Sequence, residues 1–289
     1  MRRLLAAIAA VVMIAGGFLA YQARHDNANA TDPATSDATG SEIASIWCVP
    51  EAQAACEQLP NVTATILSPA EIEARIVKAG KDPSALGVDA IVATKQWLDR
   101  WTPLSFDLKV DREAIAGTEL VAVEKNGGLG CKGDLTCLLK AGSRLSIPDL
   151  RETSTGTIAA ALSLQAEGAT DLVDDLAPVV TSAASKVKRS LATPRTTIEA
   201  LQALLAINLL DAVVMTRAEI ESTSPANASV SPLSPAASVT VHIGVFGNAD
   251  STSLRTELRS QLLLGKWTAN PAPDDLSSAY LNQTYKLLS

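Results

Sequence analysis

Val88-Asp89-Ala90-Ile91-Val92-Ala93-Thr94-Lys95-Gln96-Trp97-Leu98 is the stretch on which the fold turns. Asp89 to Thr94 is a short apolar run, rich in Val and Ala and buried in character, and it reads as a strand. Two more strands precede it. Ile43 to Val49 is the first, Glu51 to Leu59 a short helix, and Val62 to Leu67 the second strand. Ser68-Pro69-Ala70-Glu71 then opens a helix running to about Ala79, with an N-cap serine, proline at the first helical position and a glutamate placed to close a capping box. Strands alternating with helices predict an α/β sheet with crossover helices.

Downstream, Glu119 to Val123 reads as a strand leading into Asn126-Gly127-Gly128, a turn suited to a crossover between domains. A cysteine loop and a strand around Arg144 to Ile147 follow. Pro148 to Thr157 then runs into an alanine-rich helix, Ile158 to Glu167. Thr196-Thr197-Ile198-Glu199 is a second capping box, and its helix puts Leu201, Leu204 and Leu205 on one face. Asp211 to Thr216 reads as a returning strand, Pro225 to Ser238 as a loop, and Val239 to Phe246 as a further strand. The remainder is helical, with Leu254, Leu258 and Leu262 in line and a last segment from Asp275 to Leu288.

The N-terminus predicts export. Arg2 and Arg3 precede an uncharged run from Leu4 to Tyr21, and Ala28-Asn29-Ala30 supplies a small-x-small cleavage pattern. The run fits either a cleaved signal peptide or an uncleaved anchor, since spanning a bilayer takes roughly 20 apolar residues. Residues 1–30 are therefore read as signal or anchor, and 31–40 as a flexible tether.

An apolar content of 47% excludes disorder and supports one large or two modest cores. The first thirty residues hold three basic residues (Arg2, Arg3, Arg24) and one acidic (Asp26), so the rest stands at −9 against −7 for the whole chain. Such a surface repels phosphate backbones, and no basic cluster offsets it, which argues against a nucleic-acid partner. The four cysteines form two close pairs, Cys48 with Cys56 and Cys131 with Cys137. Three connectivities exist, and loop closure favours the local one. The spacings are not those of zinc sites and no histidine is near, so no metal site is expected.

Ligands of α/β proteins gather at the carboxyl ends of strands, and helix N-termini attract anions. These rules select Ser154-Thr155-Gly156-Thr157, where small hydroxyl residues and a glycine stand between strand and helix. They also select Thr94 with Lys95, Thr216 with Arg217, and Val49, Pro50 and Glu51. Ser, Thr and Gly also serve any ordinary helix cap. Of two histidines, His25 lies in the tether and His242 inside an apolar strand. The chain lacks the nucleophile elbow, the metalloprotease helix and the phosphate-binding loop, and no enzyme activity is expected.

In order, these elements resemble the bacterial extracellular solute-binding proteins of the type II periplasmic-binding fold, most of all the actinobacterial branch often found with von Willebrand factor A domains. Val88 to Leu98 is similar to that family's Asp-led apolar strand followed by tryptophan, and Cys131 to Cys137 to its short cysteine loop. Ile147-Pro148-Asp149 with Ser154-Thr155-Gly156 looks like its strand-to-helix step, Asp211 to Thr216 like its returning strand, and Leu258 to Gly265 like the helix before its C-terminal turn.

The resemblance implies two α/β lobes, 41–124 with 210–289 and 125–209, the chain crossing between them twice. It carries ligand contact over to Thr94, Ser154, Thr155, Gly156 and Thr216. The function it implies is extracytoplasmic capture of a small polar or anionic ligand, without a cofactor, with a membrane permease or envelope protein as further partner. The alternative is a cell-envelope interaction or scaffold domain of the same fold, whose cleft is filled by side chains such as Trp97 and Met215. In both readings the protein is exported and touches the membrane only through its N-terminal segment.

Overall fold

The computed structural model describes residues 43–80, 82–104, 107–140, 145–167, 210–223, 228–270 and 276–286. The signal or anchor segment, the tether, and the capping box at Thr196 with its leucine stripe lie outside them. Among the described residues, no helix is long and apolar enough to cross a membrane.

Among the described residues, nine strands form one sheet: β1 (Ser45–Cys48), β2 (Thr63–Ile66), β3 (Ala90–Thr94), β4 (Leu108–Val110), β5 (Ala116–Lys125), β6 (Leu145–Ser146), β7 (Ala212–Thr216), β8 (Ala228–Pro232) and β9 (Ser238–Phe246). The order is β2-β1-β3-β9-β5-β7-β6, with β4 on β9 and β8 on β5. β1 lies parallel to both β2 and β3, as strands joined by crossover helices must. Asp89 starts this half: its carboxylate accepts from the backbone N–H groups of Ala44 and Ser45, each at 2.8 Å, and fixes where β1 begins. All five residues of β3 are buried, which explains its unbroken apolar sequence.

β5 and β9 are the long strands, and each changes partner along its length. Ala116 to Glu119 of β5 pairs with β9, and Leu120 to Glu124 pairs with β7. β9 pairs with β5 through Val241 and with β3 from Val241 to Val245. The two strands thereby join the half of the sheet built on β1 and β3 to the half built on β6 and β7. β6 and β7 are parallel.

The helices are α1 (Gln53–Cys56), entered through a 3-10 turn at Pro50–Ala52, α2 (Pro69–Ala79), α3 (Lys95–Trp101), α4 (Leu135–Leu139), α5 (Ser154–Glu167), α6 (Arg217–Thr223), α7 (Thr252–Leu264) and α8 (Ser278–Lys286). The capping box at α2 forms in full: Ser68 Oγ accepts from Glu71 N–H, and Glu71 Oε2 accepts from Ser68 N–H at 2.9 Å. α5 is buried on every side from Ile158 to Leu164, so only small or apolar residues fit, and Ser163 returns its hydroxyl to the Ala159 carbonyl. Leu254, Leu258 and Leu262 of α7 are buried as one stripe.

Cys48–Cys56 and Cys131–Cys137 are disulfides, and no cysteine is left free. The second closes a loop gripped by the buried Glu124, whose carboxylate accepts from Cys131 N–H at 2.8 Å and Gly133 N–H at 3.3 Å. Two strands depart from the sequence expectation. The stretch read as a loop from Pro225 to Ser238 contains β8, an edge strand that tolerates proline at its end because one side needs no partner. β4, three residues long, has too short a pattern to register.

Candidate functional site

β1 and β3 run side by side and end together: Val49 N–H donates to the Val92 carbonyl at 3.0 Å. Two residues further on, the chains turn into helices and present Glu51 and Thr94. Across the sheet, β6 and β7 end in the same manner at Ser146 and Thr216, and α5 begins nearby at Ser154.

Glu51 connects these segments. Its Oε1 accepts from the backbone N–H of Thr155 at 2.8 Å. Thr153 supplies the rest of the cap, its hydroxyl accepting from Gly156 N–H at 3.0 Å and its carbonyl from Thr157 N–H at 3.3 Å. The N–H groups of Thr155, Gly156 and Thr157, which a helix start leaves without intrahelical partners or just begins to satisfy, are all engaged. Oε2 of Glu51 is buried and has no hydrogen-bond partner among the described residues. Burial is the chief reason the carboxyl is pushed up to about 7, and the Glu219 charge adds to it, against the lowering effect of the Thr155 and Ser154 N–H groups. Glu219 is itself raised from its ordinary value for the same reason, burial, although Thr216 donates to it from both N–H and Oγ1 at 2.8 Å.

The residues selected from sequence divide by what their side chains do. Thr94, Ser154 and Thr155 are 0%, 0% and 1% exposed, and their hydroxyls have no hydrogen-bond partner among the described residues. Thr157 donates its hydroxyl to the carbonyls of Leu150, at 2.9 Å, and Thr153. Thr216 spends its hydroxyl on Glu219 in a capping box. Gly156 is required by close packing, because a Cβ there would stand 2.4 Å from the Pro148 carbonyl oxygen and 2.7 Å from that of Asp149. Glu51 is named in the sequence only by its place at a strand end, and Glu219 only by the Thr216-x-x-Glu219 spacing of a capping box; neither signal reveals that the two carboxylates share an environment.

His242 sits in β9 with Nδ1 3.1 Å from the Asp111 carbonyl, and burial holds its pKa below the usual value. Trp97 packs on Trp101 and Tyr285 with ring centroids 5.5 and 5.2 Å apart, and Met215 lies in an apolar cluster with Val121, Val123 and Val213.

No family model matches the chain, and neither does any curated protein. Solved structures do. Apo ferric ion-binding protein A of Pasteurella haemolytica matches with a TM-score of 0.53 at 9% identity, over 86% of this chain and 95% of that one. Iron-bound HitA from Pseudomonas aeruginosa gives 0.53 at 12%, over 86% and 97%. The ferric binding protein from Campylobacter jejuni gives 0.53 at 12%, over 82% and 90%. These neighbours are binding proteins of two-lobed architecture. At such identities the likeness concerns the fold alone, and this chain has the α/β fold of the type II periplasmic binding proteins.

Proposed function

We propose that this protein is an exported solute-binding protein, without enzyme activity, that captures a small polar ligand between its lobes. The observation that carries the reading is a group of buried oxygens without a hydrogen-bond partner among the described residues: Thr94 Oγ1, Ser146 Oγ, Ser154 Oγ, Thr155 Oγ1 and Glu51 Oε2. A buried polar group without a partner costs about 1–3 kcal/mol, so several on elements from both halves of the sheet mark a place kept for a ligand's polar groups. A buried carboxyl pushed toward neutrality in the same place adds support. Thr94, Ser154 and Thr155 are the proposed ligand contacts, with Gly156, Thr157 and Thr216 shaping the backbone that presents them.

The lobes are proposed as 41–124 with 210–289, and 125–209, with one change. Pairing of β7 with β5 and β6 supports moving Ala212–Thr216 into the second lobe, so that the return crossing falls at β9. The two disulfides support an oxidising, extracytoplasmic location. A signal or anchor at residues 1–30, a permease or envelope partner, and a place in the actinobacterial branch belong to the same proposal. The scaffold alternative needs side chains such as Trp97 and Met215 in the cleft; Trp97 packs on Trp101 and Tyr285, and Met215 lies among Val121, Val123 and Val213.

Thermal unfolding of the disulfide-intact protein from near Thr31, against amino acids, amines, oxyanions, sugars and metal ions, tests the reading. Ligand at a hundred times its Kd stabilises by about 2.7 kcal/mol, which raises the midpoint by roughly 5–10 °C in a chain this size. A shift with one chemical class, lost when Ser154 and Thr155 are both changed to alanine, is the expected result. No shift with any class would end the solute-binding reading.

A further inference from the structure

We propose that Glu51 sets the specificity of the cleft: its carboxylate takes the place on the α5 N-terminus that an anionic ligand would use, leaving a site for an N–H-bearing cation, an ammonium or guanidinium. This inference rests on the solute-binding reading and narrows it.

The donors settle the first half of the argument. The N–H of Thr155 goes to Glu51, and those of Gly156 and Thr157 go to Thr153. An oxyanion arriving at α5 finds these donors taken and a carboxylate in their place, with Glu219 adding charge of the same sign. It would have to expel Glu51 and then sit beside it.

The second half is what remains unpartnered. Among the described residues Thr94 Oγ1, Ser146 Oγ, Ser154 Oγ, Thr155 Oγ1 and Glu51 Oε2 lack a partner; the hydroxyls can accept as well as donate, and the ionised carboxylate only accepts. A primary ammonium brings three N–H donors and a guanidinium five, so either satisfies several of these acceptors at once. Either also supplies the positive charge that a buried carboxylate needs, and binding draws the proton off Glu51. A metal ion suits the place less well. Calcium takes about 6–8 oxygen ligands, and among the described residues no three of His, Cys, Asp and Glu stand together.

The test uses the wild-type chain from near Thr31, Glu51→Gln and Glu51→Ala in calorimetric titration. The probes are ethylammonium, 1,4-diaminobutane, agmatine and glycinamide as cations, phosphate, sulfate and acetate as anions, magnesium, calcium and ferric ions, and glucose. A cationic probe is expected to bind the wild type, to bind Glu51→Gln about tenfold or more weakly, and to tighten as pH rises through about 7. Proton release on binding, read on the wild type in buffers of different ionisation enthalpy, gives the same answer if the variants do not fold. Wild-type binding of an anion, metal or glucose in preference to the cations would overturn the inference and leave solute binding standing. Equal cation binding by Glu51→Gln, or none of the expected proton release, would overturn the role of Glu51. No binding by any probe would remove both readings.

Discussion

The carboxylate of Glu51 and the backbone N–H of Thr155, 104 positions apart in the chain, meet at 2.8 Å. The contact ties the carboxyl end of β1 to the first turn of α5. It joins a residue from the β1–β3 half of the sheet to one that follows β6, and so any opening between the halves must break it or carry it along.

Stability should depend on pH through Glu51. Its folded-state pKa of about 7 lies above the ordinary 4.5. The protein binds the extra proton only when folded, so the contribution is fully present below about 4.5 and is lost as pH rises through 7. A shift of this size corresponds to about 3 kcal/mol. The unfolding midpoint is expected to fall between pH 5 and pH 8, and to fall less in Glu51→Gln, followed by circular dichroism.

His242 predicts a loss on the acid side. Burial lowers its pKa in the folded state, so its contribution is present above the unfolded value of 6.5 and disappears as pH drops through the lowered one. His242→Gln, which keeps a polar group near the Asp111 carbonyl, is expected to flatten the acid limb of the same stability profile.

Gly156→Ala should destabilise by about 1–3 kcal/mol in urea unfolding, since its Cβ meets backbone rather than a movable side chain. Relief requires α5 to move away from Pro148 and Asp149. That displacement also pulls Thr155 from Glu51, and ligand binding is expected to weaken together with stability.

Glu124→Leu leaves the N–H groups of Cys131 and Gly133 buried without their acceptor. A cost of about 2–4 kcal/mol is expected for the two. Glu124→Gln keeps an acceptor oxygen and should cost less, a difference that chemical denaturation of the two variants would resolve.

Much of the architecture was legible from short-range chemistry. The capping box at Ser68 and Glu71 and the apolar run into Thr94 involve residues adjacent or nearly so, and their preferences act before any tertiary contact forms. The local disulfides follow from the same proximity. β8 was missed because an edge strand is made by its neighbour β5, and its own Ala-Ser-Val-Ser-Pro carries little preference.

The site was legible in position but not in chemistry. By itself the sequence determined that hydroxyl residues stand at strand ends and at a helix start, because those features are set within a few residues. Only the tertiary structure decided how the hydroxyls are used: Thr157 and Thr216 are consumed by local bonds, whereas Thr94, Ser154 and Thr155 find no partner among the described residues. It alone decided, too, that the donors of α5 belong to a carboxylate 104 positions away, since a long-range hydrogen bond depends on where two strands end in space and leaves no periodicity to read.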